Sequence, residues 1–169
     1  YALRIAQRVK SPIIYVTKKP NNAIVKNHIA IGGKAVYLRE KMIYIHDGEK
    51  EIPVIRVDEI PATFGGVLEH NIENSLTAIA GVHGYGVKTE VIYRALSQFY
   101  TDKINNRGRF NVFDVKDFKV ILDYGHNIDG YNKVLEGLIK IKQNRLIGVI
   151  GVPGDRTDIS TLKIGEISG

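Results

Sequence analysis

The segment VILDYGHN ends an apolar run with three side chains capable of chemistry, Asp123, His126 and Asn127. A carboxylate at the end of a strand could accept hydrogen bonds from ribose hydroxyls, and an asparagine amide could pair with the edge of a base. The histidine could be a ligand, a base or a surface contact. Asp and Asn are also preferred helix N-caps, so a turn followed by a cap is the alternative interpretation.

Two further segments carry polar groups of the same kind. The segment RGRF places Arg109 beside a flexible glycine, and its guanidinium could clamp a phosphate or a carboxylate. An exposed linker arginine is the alternative. The segment HNIEN places Asn71 and Asn74 on one face of an opening helical turn. Asn71 could be only an N-cap, but Asn74 inside a helix lowers its propensity and suggests another role.

A fourth segment, GVPGDRTD, has two glycines where a strand would turn into a helix, so its backbone amides could bind an anion. The alternative is an ordinary turn capped by Thr157 or Asp158. The sequence contains no G-x-x-x-x-G-K-[ST] phosphate loop and no serine or histidine motif of a nucleophile elbow. Its remaining histidines show no metal-ligand spacing, and without cysteine it has no thiolate site.

The first part of the chain must position Asn71 and Asn74. A β-branched run at Pro12–Lys19 predicts a strand, and alternation from Asn27 to Pro61 predicts several short antiparallel strands. Gly32–Gly33 and Asp47–Gly48 are hairpin turn signals. The pattern then becomes helical from about His70, and a second helix follows with Thr89 as its expected cap.

The second part must position Arg109 and Asp123. Its pattern predicts a hairpin turning at Lys116–Asp117, a helix over about 128–142, a buried strand in RLIGVIGV and a further helix. Strands that alternate with helices indicate an α/β fold with a parallel layer, in which ligands lie at the carboxyl ends of strands. The polar segment Thr101–Gly108 is the expected boundary between the two parts.

Composition narrows the class of protein. With 169 residues, 44% hydrophobic and 25% charged, the chain is typical of soluble globular domains. No apolar run is long enough to span a membrane and no signal peptide is recognisable. The absence of cysteine fits the reducing cytoplasm. A net charge of +6 suggests a polyanionic partner, but the basic residues are dispersed, which argues against nucleic acid. The chain lacks an initiator methionine, and we expect it to be an excerpt of a longer protein.

The four polar segments occur in an order that resembles the Mur ligases. FGGVLEHNIENSLTAIAGVHGYGV, GRFNVF, VILDYGHN and GVPGDRTD follow one another as they do from the late central domain into the C-terminal domain. Within that superfamily the chain is most similar to the Mur-like half of the cyanophycin synthetases. The resemblance implies an α/β fold in which 1–104 end the central ATP-binding domain and 105–169 begin a Rossmann-like C-terminal domain.

The resemblance also implies an activity, that of an ATP-dependent amide ligase working through an acyl phosphate. In the cyanophycin synthetases, arginine is joined to the aspartate side chains of a poly-aspartate backbone. The implied partners are ATP, Mg²⁺ held by residues outside this chain, arginine and the acidic acceptor. A homo-oligomer in the cytoplasm is consistent with the family, without nucleic-acid or membrane partners. The isolated chain is expected to be inactive.

The resemblance assigns expected roles to the polar side chains. It implies that Asn74 contacts adenine with Asn71 close by, that Arg109 reaches the ATP phosphates, that Asp123 holds the ribose and that Asn127 lines the adenine pocket. Three further side chains are expected near the same cleft without a defined role: His126, Asp155 and Arg156.

The chain departs from the family pattern at three positions. Arg107 replaces a proline, Gly125 replaces the alanine of a DYAHNP-like segment, and Ile128 replaces its proline. These departures leave the exact subfamily open. Three alternatives are kept: another Mur-type ligase acting on cell-wall peptide or folylpolyglutamate, a degenerate ligase serving as a scaffold, and a non-catalytic module that binds polyanions.

Overall fold

The computed structural model describes residues 2–141, 144–151, 154 and 157–169, and the described residues form a mixed α/β structure, which confirms the predicted fold class. The strands are β1 (Ile14–Thr17), β2 (Lys34–Arg39), β3 (Met42–His46), β4 (Glu51–Arg56), β5 (Asn111–Val115) and β6 (Phe118–Leu122). The helices are α1 (Ala2–Ala6), α2 (Ala23–Ala30), α3 (Glu69–Gly84), α4 (Thr89–Ser97), α5 (Ile128–Lys140) and α6 (Asp158–Ser168), with short 3₁₀ helices at Val57–Glu59 and Pro61–Thr63.

The first four strands form one mixed sheet in the order β1-β2-β3-β4. The pair β1 and β2 is parallel, whereas β2-β3-β4 is the predicted antiparallel meander. One face of this sheet packs against α3 and α4 through a core of β-branched and leucine side chains. The core includes Val36, Ile43, Ile45, Leu76 and Ile79, each at most 1% exposed. This sheet is therefore the platform on which α3 is held.

The predicted hairpin turn at Gly32–Gly33 is wrong. Residues 23–30 form α2, and its N-cap Asn22 accepts hydrogen bonds from Ile24 N at 3.0 Å and Val25 N at 3.2 Å. Gly32, at φ +81°, ends that helix instead. The β2-β3 hairpin turns at Glu40 and Lys41, which both have positive φ and so match the twist of the flanking strands.

The cap predicted at Thr89 is wrong, and the alternative interpretation of Asn71 as an N-cap is also wrong, because each helix begins earlier than the sequence signal suggested. The N-cap of α3 is Leu68, so Asn71 lies inside the first turn. The N-cap of α4 is Lys88, which makes no side-chain capping bond, and Thr89 is the first helical residue. The side chain of Asn71 is consequently available for another contact.

The second part of the chain contains the predicted β5-β6 hairpin. Val115 pairs with Phe118, and Lys116 takes positive φ in the turn between them. The helix that follows, α5, begins at Ile128 and ends at Lys140; Lys142, where it was predicted to end, lies outside the described residues. Thr157 caps α6, one of the two caps predicted for it, by accepting a hydrogen bond from Ser160 N at 3.3 Å.

The predicted buried strand in RLIGVIGV is not formed over residues 144–151. Ile147 is 70% exposed and Val149 is 99% exposed. A continuous apolar strand needs a neighbouring strand and covered faces, and β5 and β6 pair only with each other among the described residues. The apolar run alone therefore did not decide its structure.

A separate apolar cluster joins the two parts of the chain. Leu68, which precedes α3, packs with Phe110 and Leu138, and both Leu68 and Phe110 are 0% exposed. Phe64 meets Phe110 edge to face, with ring centroids 5.1 Å apart. The cluster brings the last turns of α5 close to the start of α3. In the described part of the chain no helix has the length and apolarity to cross a membrane.

Candidate functional site

A cavity of about 460 Å³ lies between the first turns of α3 and the segment that joins β6 to α5. Its size falls within the range of small-molecule sites. Six of the side chains singled out in the sequence line it: Asn71, Asn74, Arg109, Asp123, His126 and Asn127. The other two, Asp155 and Arg156, lie outside the described residues.

The α3 side of the cavity presents two asparagines with different surroundings. Asn71 Nδ2 donates to Ala62 O at 2.6 Å, which holds its amide against the preceding 3₁₀ turn. Its Oδ1 lies 3.5 Å from Asn74 Nδ2, which orients the second amide. Asn71 is thus tied to the protein, whereas Asn74 is only weakly held and can offer its amide to a ligand.

The GRFN segment forms a hydrogen-bonded loop that holds Arg109 in position. Asn111 is 2% exposed, and its Oδ1 accepts from Gly108 N at 2.7 Å while its Nδ2 donates to Asn106 O at 2.9 Å. Gly108, at φ +68°, allows the tight loop that these bonds close. Phe110, fully buried next to Arg109, anchors the same loop in the apolar cluster.

The guanidinium of Arg109 is held near the backbone that follows β6. Its Nη1 donates to Tyr124 O at 3.3 Å, and its Cζ lies 5.4 Å from the centroid of the Tyr124 ring, within cation–π range. Because this is the only hydrogen bond of the guanidinium among the described residues, its other donors can bind an anion in the cavity.

One of the two carboxylate oxygens of Asp123 is hydrogen-bonded to the protein. Its Oδ2 accepts from Phe110 N at 2.8 Å, a contact that the left-handed backbone of Phe110 (φ +51°) makes possible. Among the described residues no donor reaches its Oδ1 within hydrogen-bond distance. One carboxylate oxygen therefore orients the side chain and the other can accept hydrogen bonds from a ligand.

Asn127 caps α5, as the alternative interpretation held. Its Oδ1 accepts from Gly130 N at 2.7 Å, and its Nδ2 makes only a long contact of 3.5 Å with His126 Nε2, so the Nδ2 can face a ligand. His126 stacks on Tyr124 with ring centroids 5.5 Å apart, and its Nδ1 lies 3.2 Å from Tyr124 O. Capping and cavity lining are thus compatible at this turn.

The sequence reasoning missed an ion pair across the cavity. Lys133 on α5 donates to Glu73 Oε2 on α3 at 2.7 Å, and both residues line the cavity. The hydrogen bond from Lys133 lowers the pKa of Glu73, and Glu73 in turn raises the pKa of Lys133. Glu73 lies between the two asparagines of NIEN in the sequence. No sequence pattern links it to Lys133, which is 60 residues away.

His70 was also missed as a cavity residue. Its Nδ1 is buried and has no hydrogen-bond partner among the described residues. Burial lowers the pKa of His70, although the negative charge of Asp123 opposes that shift. The ring is therefore neutral near pH 7, a lining group that adds no positive charge.

The arrangement suits a ligand that has an anionic end, hydroxyl groups and a planar polar edge. Arg109 supplies the cation, Asp123 supplies an acceptor, and Asn74 with Asn127 supplies amides. Within the described residues no three histidine or acidic side chains are grouped to hold a metal ion.

Comparison with known proteins shows which proteins the chain resembles. Residues 108–168 match the glutamate ligase domain of the Mur ligases. The chain is 33% identical to a cyanophycin synthetase of Geminocystis herdmanii over 98% of its own length, and 31% identical to one of a Synechocystis species over 97%. It is 35% identical over 97 residues to a UDP-N-acetylmuramoyl-L-alanyl-D-glutamate–2,6-diaminopimelate ligase of Alkaliphilus metalliredigens.

The chain spans about a fifth of these relatives, 19% of the length of each. The similarity nevertheless covers both parts of the fold, because the cyanophycin synthetase matches extend over nearly the whole chain. The resemblance to the Mur ligase superfamily is thereby confirmed.

Proposed function

We propose that the protein containing this chain, which resembles the Mur ligases and cyanophycin synthetases, is an ATP-dependent amide ligase of the cyanophycin synthetase type, and that the cavity binds ATP. The observation that carries the proposal is that side chains from both parts of the chain line the same cavity. Two asparagines from α3 and an arginine, an aspartate and an asparagine from the second part of the chain line one cavity. These residues are up to 56 positions apart in sequence, Asn71 to Asn127, and a shared ligand would give them a common use.

Each side chain has a donor or acceptor that suits one part of ATP. Asn74 would meet the adenine edge, with Asn71 orienting it through the 3.5 Å contact. Asp123 Oδ1 would accept from a ribose hydroxyl, since Phe110 N already occupies Oδ2. Arg109 would pair with the phosphates, for which its planar fork is suited. The Nδ2 of Asn127 would complete the adenine wall.

The chemistry of such a ligase needs positioning more than covalent help from the protein. ATP, with Mg²⁺, would phosphorylate a carboxylate, and an amine would displace the phosphate to form the amide. Arg109 would neutralise phosphate charge, and Asp123 would fix the nucleotide so that the reacting groups meet. The Thr101–Gly108 segment precedes Arg109 directly and remains our proposed boundary and hinge between the domains 1–104 and 105–169.

The substrates follow from the relatives as a proposal. We infer that arginine is joined to the aspartate side chains of a poly-aspartate backbone in the cytoplasm. The net charge of +6 is compatible with an acidic acceptor. The alternative is a cell-wall ligase, which the 35% identity to the diaminopimelate ligase favours over other sister enzymes.

The test uses the full-length protein with ATP, Mg²⁺, aspartate, labelled arginine and a short poly-aspartate primer. Arginine should enter the polymer, and Asp123→Ala or Arg109→Ala should lower kcat/KM for ATP by about tenfold or more, the effect of losing a hydrogen bond to a charged group. Arg107→Ala is the matched control, because Arg107 donates to Lys103 O and does not line the cavity.

Each outcome has a defined meaning. If Arg107→Ala and Arg109→Ala are equally active, the proposed phosphate contact is wrong. If ATP turnover appears only with cell-wall precursors and the two cavity variants still suppress it, the nucleotide site stands and the substrate proposal fails.

A further inference from the structure

We propose that Glu73 and Lys133 are positioning residues that form a bridge across the cavity and set the distance between its two walls. This inference rests on the proposed function, since the walls are those of the proposed ATP site. Glu73 directly precedes Asn74 on α3, and Lys133 lies on α5 one turn beyond Gly130, whose N–H is capped by Asn127. The bridge thus joins the two helical turns that carry the asparagine amides.

The bridge is anchored on a third element. Glu73 accepts Lys133 on Oε2 at 2.7 Å and Lys18 on Oε1 at 2.7 Å, so both of its oxygens carry an ammonium group. Lys18, which follows β1, also reaches Glu69 Oε2 at 2.8 Å. Glu73 is therefore fixed against the sheet from one side and holds α5 from the other.

This geometry favours positioning over direct ligand binding. Both oxygens of Glu73 are already occupied by lysines, and the ammonium of Lys133 is committed to Glu73 at 2.7 Å and approaches Asp129 at 3.6 Å. On these two helices, the group next to the bridge that stays open toward the cavity is the amide of Asn74. The bridge orients the wall that presents this amide.

We expect the chain to fold without the bridge. The side chains of Lys133 and Glu73 are 29% and 38% exposed, so solvent screens their attraction, and exposed ion pairs contribute little to stability. The apolar cluster of Leu68, Phe110 and Leu138 holds the two parts together without it. Removing the bridge should therefore loosen α5 against α3 while the fold persists.

The test is a double-mutant cycle in the full-length protein with Glu73→Gln, Lys133→Met and both together. Each single substitution should raise KM for ATP about fivefold with a smaller change in kcat, and the double variant should be no worse than either single one. Lys133→Arg should keep KM within about twofold of wild type, because a guanidinium can still pair with Glu73. Lys163→Met, which removes a pair inside α6, is the control.

Hydrogen exchange of α5 in the nucleotide-free protein gives a second readout that does not depend on ATP. The α5 amides should exchange faster in both single variants, and by the same factor in the double variant. Additive effects on KM, or a normal KM in Glu73→Gln beside a raised one in Lys133→Met, would show that Lys133 binds the nucleotide directly and would overturn the bridge.

The two proposals can fail separately. A wild-type protein that does not bind ATP would refute the proposed function, and the exchange rates of α5 would still decide whether Glu73 and Lys133 hold the helices together. Unchanged exchange in every variant would overturn the bridge even where ATP binds.

Discussion

Gly137 is the position where α5 comes closest to the start of α3. A Cβ at Gly137 would lie 2.6 Å from Leu68 Cδ2, and Leu68 is fully buried, so it has little room to move. Carbon atoms prefer a separation of about 3.5–4.0 Å, so Gly137→Ala requires a relative shift of roughly 1 Å. We predict that this substitution destabilises the chain although alanine favours helices.

The magnitude follows from two opposing effects. Glycine inside a helix costs about 1 kcal/mol relative to alanine, and overpacking a core costs about 1–3 kcal/mol. Gly81→Ala isolates the first effect, because a Cβ at Gly81 in α3 meets nothing within 4 Å. Gly81→Ala should stabilise the chain by about 0.5–1 kcal/mol. Gly137→Ala should be less stable than Gly81→Ala by about 1–3 kcal/mol, since the helix preference cancels in the comparison.

The assay is urea unfolding of the 169-residue chain, followed by circular dichroism, for wild type and both variants. In the full-length protein, Gly137→Ala should also raise KM for ATP, because α5 carries one wall of the cavity. If the two variants differ by less than about 0.5 kcal/mol, the close approach of α5 to Leu68 is wrong, and the argument for a tightly held cavity wall is refuted.

Two further predictions concern the cavity itself. Burial lowers the pKa of His70 from its ordinary value of 6.5, so the unfolded chain takes up a proton first as pH falls and the free energy of unfolding should decrease below about pH 6.5. Urea unfolding from pH 8 to pH 5 should show a smaller decrease for His70→Gln, and an unchanged decrease would contradict the burial of this ring. Gly125→Ala should be tolerated, because its Cβ would lie 3.5 Å from Asp123 Oδ1 and 3.6 Å from the Tyr131 ring, both ordinary contacts. Its free energy of unfolding should stay within about 1 kcal/mol of wild type and its KM for ATP within about twofold. A larger loss of stability would contradict the contacts of the Asp123 turn described above.

The local patterns of the sequence predicted the elements whose signals are themselves local. The hairpin at Lys116–Asp117 was predicted, and a cap in the segment that contains Asn127 was one of two interpretations, because turn chemistry and capping depend on residues close together in the chain. The short strands β2 to β4 were found for the same reason. The helix α2 was missed, and the strand over 145–152 was predicted but is not formed in residues 144–151.

Those misses share a physical cause. Whether an apolar run becomes a strand depends on the neighbours with which it can pair, and RLIGVIGV has no pairing strand in the described part of the chain. The glycine pair Gly32–Gly33 carried a turn signal that ends a helix as readily as it joins two strands, and only the packing of α2 on the sheet chose between them.

For the candidate site, the sequence alone determined which side chains were available and, through the order of four motifs, which family they resemble. Asn74, Arg109 and Asp123 could be named from the sequence because motifs are written in residue types and short spacings. The tertiary structure decided their contacts: which oxygen of Asp123 is occupied, that Asn71 lies 3.5 Å from Asn74, and that Glu73 meets Lys133 across the cavity. Hydrogen bonds and ion pairs depend on distances of a few ångströms, and the folded chain sets those distances between residues that the sequence leaves far apart.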